Sequence, residues 1–216
     1  MASRGGPPVV DSGQRVAVVR RGWASRASPA LPLAVTTRVH WPSPRGNMGA
    51  VGHARLLLTC GLPGAGKTTL ARKLAADRGA LRLTQDEWLI ALGSTPWDAS
   101  TREKLDQELW RLAQGVLVLG LSVIVDFGLW GRIERDEMRL AARRLGVGVD
   151  LHYLDVPADE LWRRIEARNA EPPWSSYPIG REHLHEWLGI FQAPDSAELA
   201  LFDPPQAEPS GTKPGS

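Results

Sequence analysis

The chain has 216 residues, enough for one good hydrophobic core and short for two, and 43% of them are hydrophobic. Its formal net charge is +2, but of 26 basic and 24 acidic residues, seven arginines and one acid fall in residues 1–47, which leaves 19 against 23 and a net charge of −4 for the rest. That sign argues against a nucleic-acid partner without excluding it, and no run reaches the ~18 apolar residues that a membrane span needs. The single Cys60, at the end of an apolar run, excludes an internal disulfide and reads as a buried thiol in a reducing compartment, so a soluble, cytoplasmic protein with no membrane partner is expected.

Residues 1–47 are rich in Pro, Gly, Ser, Ala and Arg and hold no period of 2 or 3.6, which predicts disorder. Order-promoting sequence starts just after Met48, so two origins are open for the extension: a disordered segment, or an upstream artefact of a start assigned too early. The ordered body is expected over residues 48–203 and a second disordered tail over 204–216.

Within the body, short apolar runs alternate with helical periods. Residues 55–60 read as a buried strand, 67–78 as a helix and 81–84 as a second strand, followed by a short helix over 87–92. Asp98 is placed to cap a long helix in which Leu105, Leu109, Leu112, Val116 and Leu119 recur at helical spacing. Residues 122–126 form a third strand, apolar and β-branched as a strand buried on both faces should be. A helix over 132–145 ends at Gly146, and 149–154 is a fourth strand. Asp155, Pro157, Asp159 and Glu160 open a helix that continues to about residue 168. A proline-rich loop over 169–180 and a helix over 181–191 complete the pattern. This alternation predicts an α/β fold, a mainly parallel sheet covered by helices on both faces.

Gly61, Leu62, Pro63, Gly64, Ala65, Gly66, Lys67 and Thr68 spell G-x-x-x-x-G-K-[ST] between the first strand and the first helix. In that setting glycines allow backbone N–H groups to wrap phosphate oxygens, the helix N-terminus favours negative charge, and Thr69 extends the cradle. Lys67 would reach the β and γ phosphates of ATP and the Thr68 hydroxyl would bind Mg²⁺. Asp126 ends the third strand, where a carboxylate can hold a water ligand of the same ion or merely cap the following turn.

Asp86, just past the second strand, stands where strand carboxyl ends converge on a ligand crevice. Two roles are open to it: accepting a proton from a substrate hydroxyl, or capping the next helix. Arg164 and Arg168 lie four apart and share a helix face, while Arg163 points away. They either neutralise a transferred phosphoryl group from the edge of a mobile loop, or form a solvated face that pairs with Glu160 and Glu171. Trp88, Trp97, Trp130 and Trp174 border the same region, as stacking surfaces for a ligand ring or as partial core.

The glycine loop, the Asp-Glu after the second strand, the apolar strand ending in Asp and the Arg-x-x-x-Arg-Asn helix before a lid together resemble the small P-loop kinases related to polynucleotide kinase, zeta toxin and chloramphenicol phosphotransferase, known as AAA-domain ATP-binding proteins. The resemblance covers roughly residues 56–203. It implies a three-layer sandwich with strand order 2-3-1-4-5 and a helical lid, Asp86 as base, and Arg164 and Arg168 on ATP phosphates. Only residues 200–202 are available for the fifth strand. The resemblance leaves the acceptor open among nucleic-acid ends, nucleotide sugars and antibiotics, and a small-molecule hydroxyl is the expectation. A nucleotide-responsive module with slow ATPase activity and a polynucleotide 5′-kinase stand as the alternatives, and the oligomeric state is open.

Overall fold

The computed structural model describes residues 54–95, 97–170 and 178–204. The expected N-terminal extension, most of the C-terminal tail and the lid residues 171–177, Trp174 among them, lie outside the described residues. Four parallel strands, β1 (Arg55–Cys60), β2 (Leu81–Thr84), β3 (Val123–Gly128) and β4 (Gly148–Tyr153), form one sheet in the order β2-β3-β1-β4. The central strands β1 and β3 are buried along nearly their whole length, which explains their unbroken apolar sequences.

Side chains alternate across these strands and so build two cores. Leu56, Leu58, Cys60, Val123, Val125 and Val149 face one way and pack on helices α3 (Ala99–Val118) and α4 (Arg132–Arg144). Leu57 and Ile124 face the other way, against Ala71 and Leu74 of α1 (Lys67–Arg78). The sheet is thereby the middle layer of three, and its carboxyl ends all open at one edge.

Local signals set most boundaries. Asp98 accepts a hydrogen bond from the Thr101 N–H and starts α3 as expected, and α1 stops at Gly79, whose φ of 59° is the left-handed conformation of a helix stop. Helix α2 (Gln85–Ala91) begins directly after β2, two residues earlier than the pattern predicts, so Asp86 lies in its first turn. Strand β3 runs two residues past Asp126, to Gly128, across a register shift between Leu58 and Cys60. Helix α5 (Ala158–Ala170) and helix α6 (Arg181–Ile190) flank the lid loop.

The expected fifth strand is not found among the described residues. Asp195 caps a short helix, α7 (Ser196–Leu199), by accepting from the Glu198 N–H at 2.7 Å, and residues 200–202 follow it in turns, the Leu201 N–H donating to the Glu198 carbonyl and the Phe202 N–H to the Leu199 carbonyl. Asp203 then makes one backbone bond to Val149 at the edge of β4. Glu198 on α7 clasps Arg135 of α4 through two hydrogen bonds of 2.6 and 2.9 Å, and both side chains are fully buried. Among the described residues no helix is long and apolar enough to cross a membrane.

Candidate active site

The glycine loop joins β1 to α1, and its conformation depends on residues that tolerate positive φ. Gly61, Gly64 and Gly66 have φ of 148°, 85° and 96°. A Cβ on Gly64 would stand 3.0 Å from the Leu161 carbonyl and 3.1 Å from the Ile165 side chain, so this glycine also lets α5 close against the loop. Helix α1 has no side-chain cap at its N-terminus, which leaves its first N–H groups directed at the loop's concavity.

Lys67 is held in that concavity by a 3.0 Å hydrogen bond from Nζ to the Leu62 carbonyl. Burial lowers its pKa, opposed by the charges of Asp126 and Asp86 and reinforced by Arg168. The four residues named from the sequence, Lys67, Asp86, Asp126 and Arg168, thus share one electrostatic neighbourhood. Thr68 is half-buried in the first turn of α1, while Thr69 is exposed. A Cβ on Gly128 would come within 3.8 Å of Lys67 Cε, which shows how closely the end of β3 approaches the lysine.

Asp126 is almost wholly buried, its side chain 2% exposed. Its Oδ1 accepts from the Thr59 hydroxyl at 3.0 Å, whereas its Oδ2 has no hydrogen-bond partner. A buried carboxylate oxygen of this kind fits a hard cation that takes oxygen ligands.

On the other side of the loop, Asp86 is 56% exposed and accepts from Arg102 Nη2 at 3.2 Å. Arg102 also donates from Nε to Gln85 at 2.8 Å, and Gln85 in turn donates to Asp106. Gln85 and Asp106 are buried, so Arg102 is anchored on α3 while its far end orients the carboxylate. The sequence reading missed Arg102, Gln85 and Asp106. Nothing in the linear pattern marks them, because the contact exists only once α2 packs on α3.

Of the pairings expected for these arginines, the one with Glu160 is present, while Glu171 lies outside the described residues. Arg164 pairs with Glu160 at 2.6 Å and also reaches the Gly64 carbonyl of the loop at 3.4 Å, while Arg163 pairs with Glu160 alone. Arg168 differs from both. Its Nη2 is buried with no hydrogen-bond partner, and burial lowers its pKa against the attraction of Asp86. Asn169 beside it bonds the Ile179 backbone twice, at 2.8 and 3.2 Å, and so ties together the two ends of the lid loop.

Trp97 and Trp130 join His183 and Trp187 of α6 in an aromatic cluster, with ring centroids 4.8 to 6.3 Å apart. Trp88 is exposed on α2. Cys60 is buried, and its thiol is pushed up to about 11 chiefly by burial, as expected for an inert core residue.

A parallel sheet in this order, with a glycine loop between β1 and a helix opening on Lys67-Thr68, defines a P-loop protein of the kinase-like type. The family described as "AAA domain" matches residues 56–194, and the chain belongs to that family. No curated protein matches it. Among solved structures, it is similar at 20% identity to a proposed kinase of Chloroflexus aurantiacus, covering 66% of this chain and 82% of that one with a TM-score of 0.53. Kti12 of Chaetomium thermophilum, solved with ADP-AlF3, gives the same identity, coverage and score. The Pnkp1/Rnl/Hen1 RNA repair complex matches at 17% identity and a TM-score of 0.54, over 69% of this chain but 46% of that one. These likenesses carry the fold.

Proposed function

We propose that this chain transfers the γ-phosphate of ATP to a hydroxyl of a small molecule. The observation that carries the reading is the buried, unpartnered Nη2 of Arg168 in the same field as Asp86 and the desolvated Lys67. A buried guanidinium nitrogen without a hydrogen-bond partner is costly unless an anion visits it, and this one lies in the field of Asp86, a carboxylate able to take a proton. The resemblance to a proposed kinase and to a protein solved with ADP-AlF3 supports the same reading.

In this mechanism the backbone N–H groups of Gly64, Gly66, Lys67, Thr68 and Thr69 and the Lys67 ammonium bind the phosphates. Thr68 and Asp126 are the residues that would hold Mg²⁺, which when bound would supply positive charge to the phosphates. The acceptor hydroxyl loses its proton to Asp86 as its oxygen bonds to the γ-phosphorus and the bond from that phosphorus to the β–γ bridging oxygen breaks, releasing ADP, with Arg102 holding Oδ1 and fixing the carboxylate's orientation. Arg168 and Arg164 neutralise charge on the transferred group. The acidic body favours a small acceptor over a nucleic-acid end.

Lys67→Ala should weaken ADP·Mg²⁺ binding at least ~100-fold by calorimetry, the scale expected for a lost charge-assisted phosphate contact in a buried site. Unchanged affinity would remove the assignment. Labelling of oligonucleotide 5′ ends would favour a polynucleotide kinase instead. ATP hydrolysis that Asp86→Asn leaves intact would favour a nucleotide-responsive module with slow ATPase activity.

A further inference from the structure

Asp126 has a charged neighbour that the P-loop pattern does not announce. Arg82 of β2 stands opposite Ile124 in the parallel register, so Arg82, Ile124 and Asp126 share the sheet face that α1 covers. Arg82 Nη1 lies 3.6 Å from Asp126 Oδ2, a separation of ion-pair attraction that is too long for a hydrogen bond. Both atoms are buried, and neither has a hydrogen-bond partner. The other end of the guanidinium is firmly held, Nη2 donating to Glu87 Oε2 at 2.6 Å. Glu87 in turn accepts from Arg72 of α1 at 2.8 Å.

This arginine is shared unequally between two carboxylates. Its hydrogen bond goes to Glu87, and only its charge goes to Asp126. A fixed cation that close to a carboxylate competes with any metal ion using the same oxygen, by direct repulsion and by occupying the anion's field. The Glu87 bond gives Arg82 a place to stay when Asp126 turns to a metal.

Resting on the reading of Asp126 as the metal carboxylate, we propose that Arg82 is a positioning residue that sets the divalent-metal affinity of the site, with Glu87 as the counter-anchor that holds it back. Arg82 weakens binding of the ion at Asp126, and Glu87 limits that weakening. Because Glu87 is the neighbour of Asp86 on α2, the same chain of contacts runs from the metal carboxylate to the helix that carries the base.

The test is Mn²⁺ binding to the full chain saturated with ADP, read as loss of the free-ion electron paramagnetic resonance signal. Arg82→Gln should bind Mn²⁺ about three- to ten-fold tighter, the size expected when one screened charge is removed beside the ligand. Arg82→Lys should stay near the wild type. Glu87→Gln alters an exposed side chain, keeps the fold, and leaves Arg82 with Asp126 as its one anion, so it should bind Mn²⁺ more weakly. Opposite shifts in these two variants support the proposal. Equal affinities, or weaker binding in Arg82→Gln, would overturn it. Asp126→Asn separates the two layers of the claim: if it binds Mn²⁺ like the wild type, the metal assignment itself fails, whereas if it alone loses Mn²⁺, Arg82 has no part in the site.

Discussion

Around Asp150 and Asp203 the buried charges are paired, whereas around Asp126 and Arg168 several atoms are not. Asp150 on β4 is fully buried and receives Arg55 Nε at 2.8 Å and Arg78 Nη1 at 3.5 Å. Asp203 accepts from the Val149 N–H at 2.7 Å and is bonded by Arg143. Across the sheet, Asp126 Oδ2, Arg82 Nη1 and Arg168 Nη2 are buried with no hydrogen bond. The same residue types thus serve two purposes. Where each charge meets its complement the network holds the fold together, and where charges are left over the site is prepared for a charged visitor.

Breaking a paired group should therefore cost stability and spare binding. The largest effect is expected at the Arg135–Glu198 clasp, where Arg135→Ala leaves the buried Glu198 carboxylate with Arg132 Nε at 4.0 Å in place of two hydrogen bonds and should cost about 3–5 kcal/mol in urea unfolding. A loss below about 1 kcal/mol would show that the clasp relaxes or hydrates at little cost. The unpaired groups should behave in reverse. Arg168→Met should lower phosphoryl transfer by roughly 10³-fold while leaving the melting temperature of the nucleotide-free protein equal or slightly higher, because a half-buried guanidinium whose Nη2 lacks a hydrogen bond is removed. A marked loss of stability in that variant would mean that Arg168 is structural.

The smallest effect is a pH dependence at the paired end. The hydrogen bond from Arg143 holds the Asp203 carboxyl below its ordinary value of 3.8, against the opposing effect of partial burial. Because the folded pKa is the lower one, the stabilisation is present above pH 3.8 and is lost as the pH falls below it toward the folded value. Asp203→Asn should flatten the acid limb of a stability profile over that window and leave its neutral region unchanged in slope.

What could be read from the sequence divides along the same line. Local signals gave β1, α1, the Asp98 cap and the glycine loop, because each depends on residues near in the chain. Asp86 and Asp126 were found because strand ends in a parallel sheet converge. Arg102 and Arg82 were not, since one acts across the α2–α3 contact and the other along a sheet face beneath α1. The error at residues 200–202 has a local cause. Only these three residues are available for a fifth strand, but Asp195 and Glu198, a cap pair three apart, start a helix whose closing turns take them up, and the Arg135 clasp then fixes it.

The most direct test of the account follows the phosphate itself. The protein is incubated with a metabolite extract and ATP carrying ¹⁸O in its γ-phosphate, and products are followed by mass spectrometry for the wild type and for Asp86→Asn, with ADP binding measured in parallel. The account predicts a labelled phosphate ester in the wild type that is absent with Asp86→Asn at unchanged ADP affinity. Labelled inorganic phosphate alone, released equally by both proteins, would contradict it.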